Sequence, residues 1–167
     1  MKFDDEAKGA EKHMDILGFL IVDSARLLRA AFERRIAQTG LGLTPGEARA
    51  LINIAALDGS RQLDIAARMG VEPMTLCAYL DKLEALGLVE RQQCSADRRA
   101  KRINLTETSS EMIGSIRNEL NAILGQATEG LSEENNRILR EALALFNANL
   151  QAAVPSAALQ TAPDESR

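Results

Sequence analysis

A mainly α-helical fold follows from three features of the sequence: its apolar composition, the three-and-four spacing of its apolar residues, and the Pro and Gly that bracket those stretches. The apolar share holds 26 Ala and 23 Leu against 4 Val, 5 aromatic residues and no Trp. That mixture suits helices far better than sheets. At 167 residues the chain fits one domain. Leu, Ile, Val and Phe make up 42 of those 167 residues, above the roughly 20% below which a charged chain is expected to stay disordered. It can therefore bury a real core.

Residues 1–12 are polar, carry no apolar stripe and read as a flexible arm. A long helix is expected from near His13, because Leu17, Leu20, Ile21, Leu27, Leu28, Ala31 and Ile36 recur at helical spacing until Gly40-Leu41-Gly42. Thr44-Pro45-Gly46-Glu47 then joins an N-cap Thr, a Pro at the first helical position and a Glu at the third. The helix it starts runs to about Leu57 and ends at Asp58-Gly59. Two short helices flank Gly70, roughly Gln62 to Met69 and Pro73 to Leu86, and form a helix-turn-helix candidate. Within it Ala66 allows close approach, Gly70 turns the chain with positive φ, and Leu76 anchors the second helix.

Leu88 to Arg91 and Ile103 to Leu105 flank a polar, basic stretch and read as a small β-hairpin with a long tip. Thr106 is expected to cap a helix striped by Met112, Ile113, Ile116, Leu120, Ile123 and Leu124. Ser132 caps the last one, with Ile138, Leu139, Leu143, Phe146 and Leu150 on one face. Residues 155–167 read as a disordered tail. The expected organisation is a single domain over 13–154, with a central lobe at 44–105 between long outer helices at 13–43 and 106–151.

The net charge of −4 argues at first against a nucleic-acid partner, but the charge is unevenly placed. Residues 1–60 carry 8 basic and 9 acidic side chains, residues 61–105 carry 8 and 6, and residues 106–167 carry 4 and 9. Only the middle is net positive. Arg98, Arg99, Lys101 and Arg102 gather at the hairpin tip, where they can reach phosphates or the minor groove. A merely solvated loop is the other reading of such a run; its place directly after a helix-turn-helix favours DNA. The exposed face of the second motif helix offers Pro73, Met74, Thr75, Cys77, Ala78 and Lys82. It lacks the Arg, Asn and Gln that most often make bidentate base contacts. Met74 and Ala78 can pack on thymine methyls, Thr75 can bond a base or phosphate, and Lys82 suits phosphate. Shape readout by the hairpin arginines is expected to carry much of the specificity.

The longest near-continuous apolar run, Ile16 to Val22, falls far short of the roughly 20 residues of a membrane helix. No signal-peptide pattern precedes it, so a cytoplasmic protein is expected. Cys77 and Cys94 lack CxxC spacing and, with one His in the chain, cannot build a four-ligand zinc site. Neither metal nor other cofactor is expected, and both cysteines read as free thiols. The absence of a phosphate loop, an HExxH and a Ser-His-acid arrangement argues against an enzyme.

With these elements in hand, Leu43 to Thr106 resembles the MarR (multiple antibiotic resistance regulator) family of winged helix-turn-helix transcription regulators. The likeness is carried by LTPGEARAL (43–51), IAARMGV (65–71), YLDKLEALGLVER (79–91) and, most specifically, the wing motif DRRAKRINLTE (97–107). It implies that 44–105 is a DNA-binding lobe, that Asp97 holds Arg99 in place, and that Arg99 enters the minor groove. It also implies a homodimer joined by the outer helices on a pseudo-palindromic site of double-stranded DNA, a repressor released by a small aromatic or phenolic effector. Phe19, Thr44, Arg49 and Arg91 are the candidates for that effector's site. Their other readings are core packing for Phe19, an N-cap for Thr44 and surface ion pairs for the arginines. Cys77 and Ala78 stand where members often carry a polar or basic pair, and Ser109 where a Gly commonly follows. Two alternatives stay open: thiol-based redox sensing through Cys77, and a winged-helix protein-interaction module without DNA affinity.

Overall fold

The computed structural model describes residues 3–93 and 101–153, with side chains from Ile16 onward. The order is α1 (Phe3–Thr39), α2 (Pro45–Ala56), α3 (Gln62–Met69), α4 (Pro73–Ala85), β1 (Val89–Gln93), β2 (Lys101–Leu105), α5 (Ser109–Ala127) and α6 (Glu133–Ala153). None of the helices among the described residues is long and apolar enough to cross a membrane.

The start of α1 differs from expectation. The helix begins at Phe3 rather than near His13, so residues 3–12 belong to it and do not form an arm. The apolar stripe placed the boundary too late. Glu6, Ala7, Lys8, Ala10, Glu11 and Lys12 are strong helix formers, and adding turns to an existing helix costs far less than nucleating one. Residues 155–167, read as a tail, lie outside the described residues.

The helix-turn-helix has the boundaries its local chemistry specifies. At the start of α2 the Glu47 amide donates to Thr44 Oγ1 at 3.3 Å, and the Thr44 amide donates to the Glu47 carboxylate at 2.7 Å. That reciprocal pair satisfies two otherwise orphaned donors. α3 stops at Gly70, whose φ of 62° is left-handed, and the Val71 amide returns to the Ala66 carbonyl at 3.1 Å. α4 closes in the same way: Gly87 has φ 70°, and the Leu88 amide reaches the Leu83 carbonyl at 2.9 Å.

β1 and β2 pair antiparallel in register from Val89↔Leu105 to Gln93↔Lys101. The α2–α3 turn adds a short third edge. Gly59 donates to the Ile103 carbonyl at 2.9 Å, Ile103 donates to the Ser60 carbonyl at 3.0 Å, and Arg61 bridges Arg102. The Leu105 amide donates to Asp58 Oδ1 at 2.8 Å. The wing root is thus stitched to the turn that launches α3.

Thr106 does not cap α5, which starts at Ser109. Its hydroxyl donates instead to the Gly87 carbonyl at 2.6 Å, joined there by Thr108 at 2.8 Å, and ties the α4–β1 corner to the start of α5. Ser132 does cap α6, accepting from the Asn135 amide at 3.1 Å.

The core lies under the helix-turn-helix and the wing. Leu51 and Ile54 of α2, Ile65 of α3, Leu76, Leu80 and Leu83 of α4, Val89 and Ile103 of the sheet, Ile36 of α1 and Ile116 of α5 are each at most 2% exposed. Each such side chain contributes about 1.5–3 kcal/mol of transfer free energy. Arg35 on α1 pairs with Glu119 on α5 at 2.7 Å and closes one side. By contrast α6 buries none of its residues, and α1 exposes Ile16, Leu17, Phe19, Leu20 and Val22.

Candidate nucleic-acid interface

One face of α4 is committed to the core through Leu76, Leu80 and Leu83, which leaves the opposite face outward. Met74, Ala78 and Lys82 follow one another at single turns along it, with Pro73 and Thr75 beside the first, and all five are exposed. Met74 is 80% exposed, an unusual state for a large apolar side chain. Cys77 differs from this group: it is half-buried, and Gln62 Nε2 on α3 donates to its sulfur at 2.8 Å. Its place on the flank follows from adjacency to Leu76 and Leu80, and the outward line passes to its neighbours.

Lys101 is exposed on β2. Arg102 reaches the α2–α3 turn, its Nη1 donating to the Gly59 carbonyl at 2.6 Å. Directly opposed across the bridge stands Arg61, exposed, and paired residues share a face of a sheet. Arg61 was absent from the residues singled out above. A lone Arg at a helix start carries no pattern, and only the bridge to Arg102 brings it to the wing. Asp97, Arg98 and Arg99 lie outside the described residues.

The effector candidates are spread over three elements and one cap. Phe19 is 70% exposed on α1. Thr44 is occupied by the capping box. Arg49 is half-buried on α2, and its Nε is buried without a hydrogen-bond partner. Arg91 on β1 is engaged with two carboxylates, Asp81 and Glu84. No hydrogen bond or ion pair joins any two of these four among the described residues. For Thr44 and Arg91 the structure gives the bland reading, a cap and an ion pair.

At Gly46 the end of the Tyr79 ring from α4 lies close over α2. A Cβ added at Gly46 would sit 2.6 Å from Tyr79 Cζ and Oη, closer than real Cβ atoms come. Gly46→Ala is therefore expected to cost about 1–3 kcal/mol by overpacking. In a Tyr79→Ala background the same change should cost little. Urea unfolding of the four proteins in this cycle measures the coupling, and strictly additive costs would show that the two residues do not pack.

A helix-turn-helix with an outward second helix, followed by a hairpin rooted on its first turn and bearing cations, is the architecture of a winged helix-turn-helix DNA-binding transcription regulator. Comparison with known proteins narrows the class. The model of the MarR family matches residues 41–100. The structure of transcriptional regulator PA3341 is 31% identical, with 81% of this chain and 98% of that one covered, at a TM-score of 0.66. A MarR-family regulator from Rhodococcus sp. RHA1 is 26% identical over 78% of this chain and 91% of its own, at 0.65. CouR from Rhodococcus jostii RHA1, bound to p-coumaroyl-CoA, shares the fold at 24% identity, covering 84% and 93%, with a TM-score of 0.63. The chain belongs to the MarR family of transcription regulators and is not an enzyme.

Proposed function

We propose that the protein is a cytoplasmic homodimeric repressor that binds a pseudo-palindromic site in double-stranded DNA and leaves it when a small aromatic or phenolic ligand binds. The observation that carries the dimer is the apolar surface of the outer helices. Leu20 is 53% exposed on α1, and Leu139 and Leu143, one turn apart, are 41% and 42% exposed on a helix α6 none of whose residues is fully buried. Monomeric soluble proteins rarely leave contiguous apolar faces of this kind uncovered. A second copy, pairing α1 and α6 with their equivalents, covers both.

On DNA, α4 lies in the major groove with Met74, Thr75 and Ala78 toward the bases and Lys82 toward a phosphate, while the wing reaches the neighbouring minor groove. Asp97 orients Arg99, and Arg98, Lys101 and Arg102 add to the attraction for phosphate. The effector would bind where the outer helices meet the lobe. Arg49, with its unpartnered buried Nε, and Phe19 support an anionic aromatic ligand there. In CouR the bound molecule is p-coumaroyl-CoA. Salt titration of duplex binding tests the wing. Arg99→Ala should weaken binding and flatten the dependence of log K on log salt by about two phosphates per dimer. An unchanged slope would show that Arg99 meets no phosphate.

A further inference from the structure

We propose that Arg91 is a positioning residue of the DNA interface, a brace that sets the angle between the recognition helix α4 and the wing. The inference deepens the DNA-binding reading and rests on it.

Arg91 is the third residue of β1 and pairs with Ile103 on β2. Its guanidinium turns back across the corner onto α4. Nη2 lies 2.6 Å from Asp81 Oδ1 and also donates to the Cys77 carbonyl at 3.2 Å. Nη1 lies 2.9 Å from Glu84 Oε2, and the Arg91 amide donates to Glu84 Oε1 at 3.3 Å. Positions 77, 81 and 84 are spaced four and three apart, so they form one stripe of the helix. A single planar group is thereby pinned at three levels of α4. The Arg91 side chain is 16% exposed, against 68% for Asp81 and 41% for Glu84, so the cation is held inside while its partners face outward.

Two consequences follow. β1 is one of the two strands of the wing, so any tilt of β1 against α4 tilts the paired strands with it. The fork of Arg fixes that tilt in a way that the point charge of Lys cannot. In addition, Asp81 and Glu84 are carboxylates on the helix that must approach phosphates, and the single charge of Arg91 offsets one of their two. Exposed ion pairs contribute little to fold stability. What this network contributes is a geometry, with helix and wing held ready to meet two grooves at once. The Arg91 Nε is buried without a hydrogen-bond partner, so the network leaves one of its donors unused.

The test compares the full-length wild type with Arg91→Lys, Arg91→Met and the double variant Asp81→Asn/Glu84→Gln, which keeps Arg91 and removes its partners. The probe is a duplex recovered from a random-sequence pool by selection with the wild type. Hydrogen bonds to charged groups are each strong enough to shift an equilibrium by about tenfold. Each variant should therefore bind the duplex about tenfold more weakly, with an unchanged salt slope because Arg91 touches no phosphate. Amides of β1 and β2 should exchange faster, while those of α2 and α5 keep their protection. Arg91→Lys with wild-type affinity and an intact wing, or a slope reduced by about one phosphate per protomer, would overturn the brace. A wild type that retains no duplex would refute the DNA-binding reading instead, and the exchange pattern would then decide the brace by itself.

Discussion

Exchange of Leu139 and Leu143 for aspartate on α6 is expected to give a folded monomer that has lost at least about a hundredfold in affinity for its duplex, since linked half-sites gain about 10²–10⁴ from avidity. Both side chains are more than two-fifths exposed in the isolated chain, at 41% and 42%. Nothing inside the lobe depends on them, because α6 buries none of its own residues. Buried at a two-fold interface, however, a carboxylate has to be desolvated without a partner, which costs several kcal/mol per ion. Sedimentation equilibrium and duplex binding on the same preparation check the result. A variant that remains dimeric, or a monomer that binds as well as the wild type, would show that α6 does not join the chains.

The second large effect is expected inside the lobe. Leu80 lies on α4 beneath the outward face formed by Met74, Ala78 and Lys82 and has no exposed surface. Leu80→Ala removes a fully buried side chain from the core cluster and should cost about 2–5 kcal/mol. For a chain of this size each kcal/mol lowers Tm by about 2–4 °C. The two variants separate the two halves of the molecule: the α6 change abolishes association and spares the lobe, whereas Leu80→Ala softens the lobe and leaves the outer apolar faces intact. Calorimetry at a protein concentration that keeps the dimer assembled measures the cost, and a loss below about 1 kcal/mol would place Leu80 outside a close-packed core.

Elements were legible in the sequence wherever a boundary carries its own chemistry. Thr44, Pro45 and Glu47 mark the start of α2, Gly70 marks the turn, and Gly87 marks the corner into β1, so the helix-turn-helix could be placed almost to the residue. The start of α1 shows no apolar stripe in the sequence, only propensity, and the pattern begins later than the helix does. Thr106 shows the opposite limit. It looks like an N-cap because Thr often is one, yet the nearby Gly87 carbonyl claims its hydroxyl.

Non-local features were the least legible. The third edge of the wing is made by backbone bonds of Gly59 and Ser60, which leave no side-chain pattern to read. Arg91 stood out in the sequence as a candidate for the effector's site, not as a brace. The signal was present in Asp81 and Glu84, an acidic pair three residues apart on α4, and it became meaningful only when β1 was seen to fold back against that helix. The composition likewise fixed the helical class but not its purpose. The Leu and Ala excess is divided between a buried lobe and two outer helices that stay apolar at their surface.

Footprinting of the wild-type protein on duplexes selected from a random pool tests the central claim most directly. A homodimer presenting two α4 helices and two wings should protect a pseudo-palindrome whose half-site centres lie about one helical turn, roughly 34–36 Å, apart. A single asymmetric patch of protection, or none on any selected duplex, would contradict the account.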